Sequence, residues 1–228
     1  MSINKIQPIK FILFMKGYSE RVPKKNMRNF CGRPLFHWIL ETLEKSRYFN
    51  EIIINTDSEE IAESAIKNFS VTIHMRSEYL KKITSNEANE IIEYELSQSD
   101  GEFFLQTHST NPLLLTSTID RSIETFFSQT EHDSLFSVTP IKARLFFANG
   151  EPINHDPHKL IKTQDLEPVY QENSCIYIFS KNSFFKNKNR IGNNPLMFPI
   201  ANFKESIDID TLDDFMLAEY FMKMDKKL

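Results

Sequence analysis

The chain has 228 residues, 40% of them hydrophobic and 25% charged, with a formal net charge of −4. This is the balance of a water-soluble globular protein forming one large domain. A mildly acidic chain lacks the broad basic face of a nucleic-acid binder, and no apolar run approaches the length needed to span a bilayer.

The two cysteines, Cys31 and Cys175, make no disulfide framework, which points to a reducing, cytoplasmic setting. The apolar run near the start is too short for a signal-peptide core. In chain order, KFILFM (10–15) is a short continuous apolar run, as a strand buried on both faces requires. After a basic stretch, PLFHWILETLEKS reads as a helix with Pro34 in its first turn. EIIINT (51–56) is a second strand, and DSEEIAESAIKNF a helix with acids in its first turn. VTIHM (71–75) is a third strand, a helix follows within 86–98, and EFFLQT (102–107) is a fourth strand. A helix over 116–128 and a fifth strand over 133–139 complete a regular alternation. That alternation predicts an α/β fold: a doubly wound, mostly parallel sheet with helices on both faces.

Beyond residue 139 the order degrades. Residues 140–172 hold four prolines and little periodicity, then CIYIFS (175–180) and LMFPI (196–200) return as strands. The chain ends on SIDIDT and a helix opened by Thr211, with Asp214 three residues on as a near capping box. With no repeat and no Gly/Ser linker, residues 1–228 read as one domain from which 140–172 is an excursion.

Two features carry chemistry. The first strand leads into MKGYSERVPKKNMRNFCGR, which gathers Lys16, Arg21, Lys24, Lys25, Arg28 and Arg33. Ligands of open α/β sheets bind at the carboxyl ends of strands, so this loop stands where a ligand is expected. It has neither a Walker loop nor a GxGxxG turn, and only Gly17 permits close backbone approach. Side-chain cations and loop amides suit a triphosphate; a solvated basic turn is the alternative. The second feature is Asp208 and Asp210, which share a face if the SIDIDT run is extended. Paired hard oxygen ligands suit Mg²⁺; exposed acids at a strand edge are the alternative.

With these pieces placed, the chain resembles the CMP-sialic acid synthetases (acylneuraminate cytidylyltransferases) and their relatives acting on other nonulosonic acids, from residue 10 to about 222. MKGYSERVPKKN followed by CGRPLF is similar to the family's A-R-x-x-S-K-G-x-P-x-K-N and G-[KR]-P-L. NTDSEEIAESA, FLQTHSTNPLL and ENSCIYIF follow family segments in order, with Ser174 in place of a glycine and no arginine after NPLL. SIDIDTLDDFMLAE matches most closely.

The resemblance implies a cytidylyltransferase joining CTP to the anomeric hydroxyl of a keto-deoxy sugar acid, with release of pyrophosphate. It implies Lys16, Gly17, Ser19, Arg21, Lys25 and Asn26 around the CTP phosphates, and Arg76 near the nucleotide. Gln106, Thr107, Ser109 and Asn173 are implied at the sugar acid, and Asp208 and Asp210 as ligands of Mg. Lys25, Arg21, Asp208 and Asp210 form the expected catalytic set, in a homodimer whose arm is 140–172. Glu20, an anion inside a phosphate loop, calls for pairing with Arg21 or Lys24. Asp57 is expected to cap a helix, and Cys31 to be an inert packed thiol. The rival readings are a nucleotidyltransferase for another sugar, a non-catalytic nucleotide-binding homologue, and a glycosyltransferase with a D-x-D metal site.

Overall fold

The computed structural model describes residues 6–83 and 88–227. In chain order, β1 (Ile9–Met15) leads to a small hairpin of β2 (Asn29–Phe30) and β3 (Arg33–Pro34), then α1 (Leu35–Glu44) and β4 (Glu51–Thr56). There follow α2 (Glu59–Asn68), β5 (Thr72–Met75), the single turn α3 (Glu78–Lys81) and α4 (Ala88–Gln98). Then come β6 (Phe103–Thr107), α5 (Thr116–Ser128), β7 (Ser134–Ile141) and the long β8 (Val169–Ser180). The chain closes with α6 (Lys181–Asn187), β9 (Pro195–Pro199) and α7 (Leu212–Lys226). The helix expected within 86–98 has its first two positions outside the described residues.

Among the described residues the main sheet has seven strands in the order β5-β4-β1-β6-β8-β7-β9. The pairs β4–β5, β1–β4, β1–β6 and β7–β9 are parallel, whereas β8 runs antiparallel to both β6 and β7. The doubly wound, mostly parallel sheet expected from the alternation is therefore present. Strand β1 shows why its sequence is apolar without a break from Phe11 onward. Phe11, Leu13 and Met15 pack with Phe36 and Ile39 of α1, Ile61 of α2 and Ile119 of α5. Ile12, on the other face, packs with Ile92 and Leu96 of α4 and Phe184 of α6. Side chains alternate across a strand, so two helical layers demand apolar residues on both faces of its covered part.

The chain passes from β1 to β4 on one side and returns at β6 on the other. The crevice beyond the carboxyl ends of β1 and β6 is thus the switch point where such folds take ligands.

Three expectations are corrected. The excursion at 140–172 is shorter, because β7 continues to Ile141 and β8 starts at Val169. The missed pairing has a register shift: Phe136 faces Tyr177 while Val138 faces Glu172. An irregularity of that kind hides the period-2 pattern. Second, SIDIDT belongs to no ladder: Ser206 closes a 3-10 turn, and beyond it Ile209 N–H donates to Thr110 O at 2.9 Å. Third, Pro34 precedes the first helix at its cap position instead of lying in its first turn.

Candidate active site

A third apolar cluster explains how the two charged segments meet. Val22, Phe30, Leu35, Trp38, Leu113, Ile209, Phe215 and Met222 pack together outside the main sheet. Val22, next to Arg21, and Ile209, between the two aspartates, are each 0% exposed. Burying one such side chain contributes about 1.5–3 kcal/mol, so both segments are anchored by their apolar members. Their charged neighbours then meet at the crevice. Arg21 donates to Asp210 Oδ1 at 2.7 Å, and Lys25 Nζ donates to Ile209 O at 2.6 Å while lying 3.6 Å from Asp210 Oδ1.

The cations do not act as one crescent. Arg21 and Lys25 face Asp210, but Arg28 lies over the Phe215 ring at 5.3 Å and Arg33 stacks on Trp38 at 3.6 Å. Lys24 reaches toward Glu60 at 3.8 Å, and Lys16 is exposed. Cation–π stacking thus claims two charges that composition alone assigns to the loop. Glu20 does not take the partners expected of it: it is exposed, Arg21 pairs with Asp210 and Lys24 with Glu60.

Gly17 also serves a different end. A Cβ there would lie 2.8 Å from Ser58 Cβ, so its bareness admits the start of α2. Its N–H donates to Asp57 Oδ1 at 2.7 Å. The cap of α2 is Ser58, whose side chain accepts from Ile61 N–H, and Asp57 instead pins the loop. Ser19 is half-buried in that loop. Asn26 is buried and fully engaged, donating to Lys16 O at 2.9 Å and accepting from Ser109 Oγ at 2.6 Å. Asn26 and Ser109 therefore tie the first loop to the loop after β6.

Arg76 follows β5, two strands away from β1. It is buried and donates to Asn55 Oδ1 at 2.6 Å and Asn55 O at 3.3 Å, while its third guanidinium nitrogen is buried without a partner. Burial lowers its pKa, opposed by the charge of Asp57; through Asp57 it borders the first loop. Asn173 sits at the irregular stretch of β8. It accepts from Ser137 Oγ at 2.5 Å and donates to Thr139 Oγ1 at 3.0 Å. These bonds hold the stretch in shape. Ser174 beside it adopts φ +57°, which explains the glycine usual at that position in the resembled pattern.

The aspartates differ. Asp210 is held by cations, and its N–H and that of Thr211 donate to Asp214 Oδ2 at 3.1 and 2.7 Å. The capping box of α7, with Thr211 and Asp214 bonding reciprocally, is complete. Asp208 is half-buried, and burial together with the neighbouring Asp210 charge raises its pKa, despite a hydrogen bond to Thr110 and the nearby Lys25. Its Oδ1 is buried without a partner. A carboxylate oxygen so placed, beside a second carboxylate, is the environment a hard divalent cation satisfies. No cluster of three or more His, Cys, Asp or Glu side chains able to hold a metal occurs among the described residues.

Gln106 and Thr107 end β6, fully buried, with Gln106 Oε1 and Thr107 Oγ1 unpartnered. His108 follows; burial, then the charges of Arg190 and Lys25, push its pKa down to about 3. A ring so weakly basic is neutral at working pH and a poor proton acceptor. Cys31 is half-buried, with its thiol pushed up by burial and by Glu219, as expected of a packed thiol. Tyr177, within the ENSCIYIF segment, lies beside His108, and Arg190, which stacks on Tyr177, has no motif that marks it in the sequence.

Comparison with known proteins agrees with this architecture. The chain is 30% identical over 220 residues to the CMP-N,N'-diacetyllegionaminic acid synthase of Legionella pneumophila, covering 92% of this chain and 94% of that protein. It is 25% identical to the pseudaminic acid cytidylyltransferase of Campylobacter jejuni, covering 93% and 95%. It is also 25% identical to N-acylneuraminate cytidylyltransferase A of Danio rerio, covering 94% of this chain but 51% of that protein. The structure of CMP:2-keto-3-deoxy-manno-octonic acid synthetase complexed with CTP superposes with a TM-score of 0.72 at 12% identity, covering 96% of this chain and 100% of that one, a likeness of fold. Residues 11–227 match the family described as Cytidylyltransferase, and the chain belongs to that family.

Proposed function

We propose that this cytidylyltransferase joins CTP to the anomeric hydroxyl of a keto-deoxy sugar acid of the nonulosonic class, giving a CMP-sugar and pyrophosphate. The observation that carries the reading is the meeting of Arg21 and Lys25 with Asp210, beside the unpartnered Asp208, at the switch-point crevice. The names of the relatives, which refer to legionaminic, pseudaminic and neuraminic acids, support the sugar class.

In the proposed reaction the sugar hydroxyl oxygen bonds to the α-phosphorus as the bond to pyrophosphate breaks. Positioning and charge neutralisation carry most of such a transfer. Arg21 and Lys25 take up charge developing on pyrophosphate. An exposed pair such as Arg21–Asp210, with Arg21 64% exposed, is worth only about 0–1 kcal/mol. The cation is therefore free to exchange its carboxylate for a phosphate. Asp208 and Asp210 are the residues that would hold magnesium, which supplies Lewis-acid neutralisation of the triphosphate.

A homodimer is part of the proposal. Phe146, Phe147, Leu160 and Ile161 are exposed on the 142–168 excursion, and a neighbouring subunit is a fitting cover for them.

The test is a pyrophosphate-release screen of CTP, UTP, GTP and ATP against several nonulosonic acids and the eight-carbon analogue. Release with CTP and a nine-carbon acid is the expected result. Binding of CTP without release for any acid would instead favour a nucleotide-binding protein without transfer activity.

A further inference from the structure

Beside the proposed site lies a cation that the first loop does not supply. Arg190, between α6 and β9, places its guanidinium carbon 3.6 Å over the ring of Tyr177. Tyr177 faces Gln106, the last residue but one of β6, across the β6–β8 pairing. The ring of His108 meets Tyr177 edge-on at 6.4 Å. His108 feels the positive charges of both Arg190 and Lys25. Arg190 thus lies against Tyr177 of β8, next to the end of β6 and the His108 that follows it.

The protein leaves this cation under-compensated. The Arg190 side chain is 22% exposed, and its carboxylate partner, Glu172, is 4.0 Å away at the limit of an ion pair. Glu172 also accepts the hydroxyl of Tyr177. Burial lowers the pKa of Arg190, with Tyr177 and Glu172 opposing the shift. Tyr177 also shares a hydrogen bond with this half-buried guanidinium, but its carboxylate partner stays at the limit of pairing, so an anionic ligand would complete its neutralisation. Next to it, Gln106 Oε1 and His108 Nε2 are buried without partners. A recessed guanidinium beside two unmatched polar atoms has the composition of a small-ligand subsite.

Resting on the cytidylyltransferase reading above, we propose that Arg190 is the residue that binds the carboxylate of the sugar acid. A guanidinium matches a carboxylate with two parallel N–H···O bonds. The stack on Tyr177 fixes the plane of that fork, and the Glu172 and Ser174 contacts of the Tyr177 hydroxyl fix the ring. The other anion available, the triphosphate, is assigned to Arg21 and Lys25, which meet at Asp210 and not at Tyr177. Arg190 therefore acts on choice of sugar, as a binding residue and not a catalytic one.

The experiment compares a sugar acid that wild-type protein turns over with its carboxamide, in wild type, Arg190→Gln and Arg190→Lys. Losing a charge-assisted contact raises the KM for the acid in Arg190→Gln roughly 10–100-fold, with the KM for CTP within twofold of wild type. The preference for acid over carboxamide collapses in Arg190→Gln and is intermediate in Arg190→Lys, which carries the comparison alone if the glutamine variant does not fold. Turnover with an unchanged acid-to-carboxamide preference in both variants overturns the assignment, as does a raised KM for CTP with that for the acid unchanged. Absence of turnover by wild type with every acid overturns the transfer reading itself, and this inference with it.

Discussion

Asp208 holds the sharpest conflict at the site. Burial and Asp210 raise its folded-state pKa above the ordinary aspartate value, so the fold favours the neutral carboxyl. The stability linked to that group is complete below the unfolded pKa, near pH 4, and is lost as pH rises through the folded value. At neutral pH that linked stability is therefore lower than in acid. We expect Asp208→Asn to abolish pyrophosphate release yet raise the thermal midpoint at pH 7. The gap should close below about pH 4, and millimolar magnesium should narrow it by stabilising wild type; an Asn variant less stable than wild type at pH 7 would refute the argument. Glu41 has the opposite sign. Burial pushes its carboxyl up, but bonds from Lys45 and Arg33 prevail and bring it to about 2. Its contribution is present above the ordinary carboxylate range and is lost as pH falls through about 2. Glu41→Gln should thus lower the urea midpoint at pH 7, with the difference shrinking across an acid titration.

At the scale of elements, two short devices position the site. The β2–β3 hairpin turns through Cys31 and Gly32 with φ of +48° and +92°, the paired left-handed geometry of a two-residue hairpin turn. This hairpin carries Phe30 into the cluster that anchors Val22 and Ile209. Gly32→Val should lower stability by about 1–2 kcal/mol through backbone strain, read by chemical denaturation. The second device is the capping box of α7. Its Asp214 accepts from the N–H groups of Asp210 and Thr211, so the helix cap orients the backbone of a proposed metal ligand. Thr211→Ala should lower stability by about 1 kcal/mol, and on the proposed reading it raises the magnesium concentration needed for half-maximal activity. An unchanged magnesium requirement would separate the cap from the site.

At the scale of the whole molecule, the exposed apolar residues of the 142–168 excursion bear on assembly. Leu160 is 98% exposed. Light scattering should report a dimer for wild type. A Phe147→Asp, Leu160→Asp double variant should shift it to monomer with an unchanged far-UV circular dichroism spectrum. A monomeric wild type would remove the proposed dimer. No helix among the described residues is long and apolar enough to cross a membrane, in line with the absence of long apolar runs in the sequence.

The strands and helices up to residue 139 were legible because continuous apolar runs and 3.6-residue periodicity are local records of burial. The two aspartates and the basic loop were legible for the same reason, as compact patterns of residue type. What the chain order alone determined was therefore the elements, their alternation and the chemistry of the two segments. Their meeting was not legible, because it depends on Val22 and Ile209, 187 positions apart in number, sharing one apolar cluster. Nor was the division of the six loop cations, since Phe215 and Trp38 come beside Arg28 and Arg33 only in the folded chain. Arg190 was silent in the sequence because a lone arginine in a polar loop has no local signature. Only the tertiary structure lays it across Tyr177, where burial gives its charge a consequence that composition cannot express.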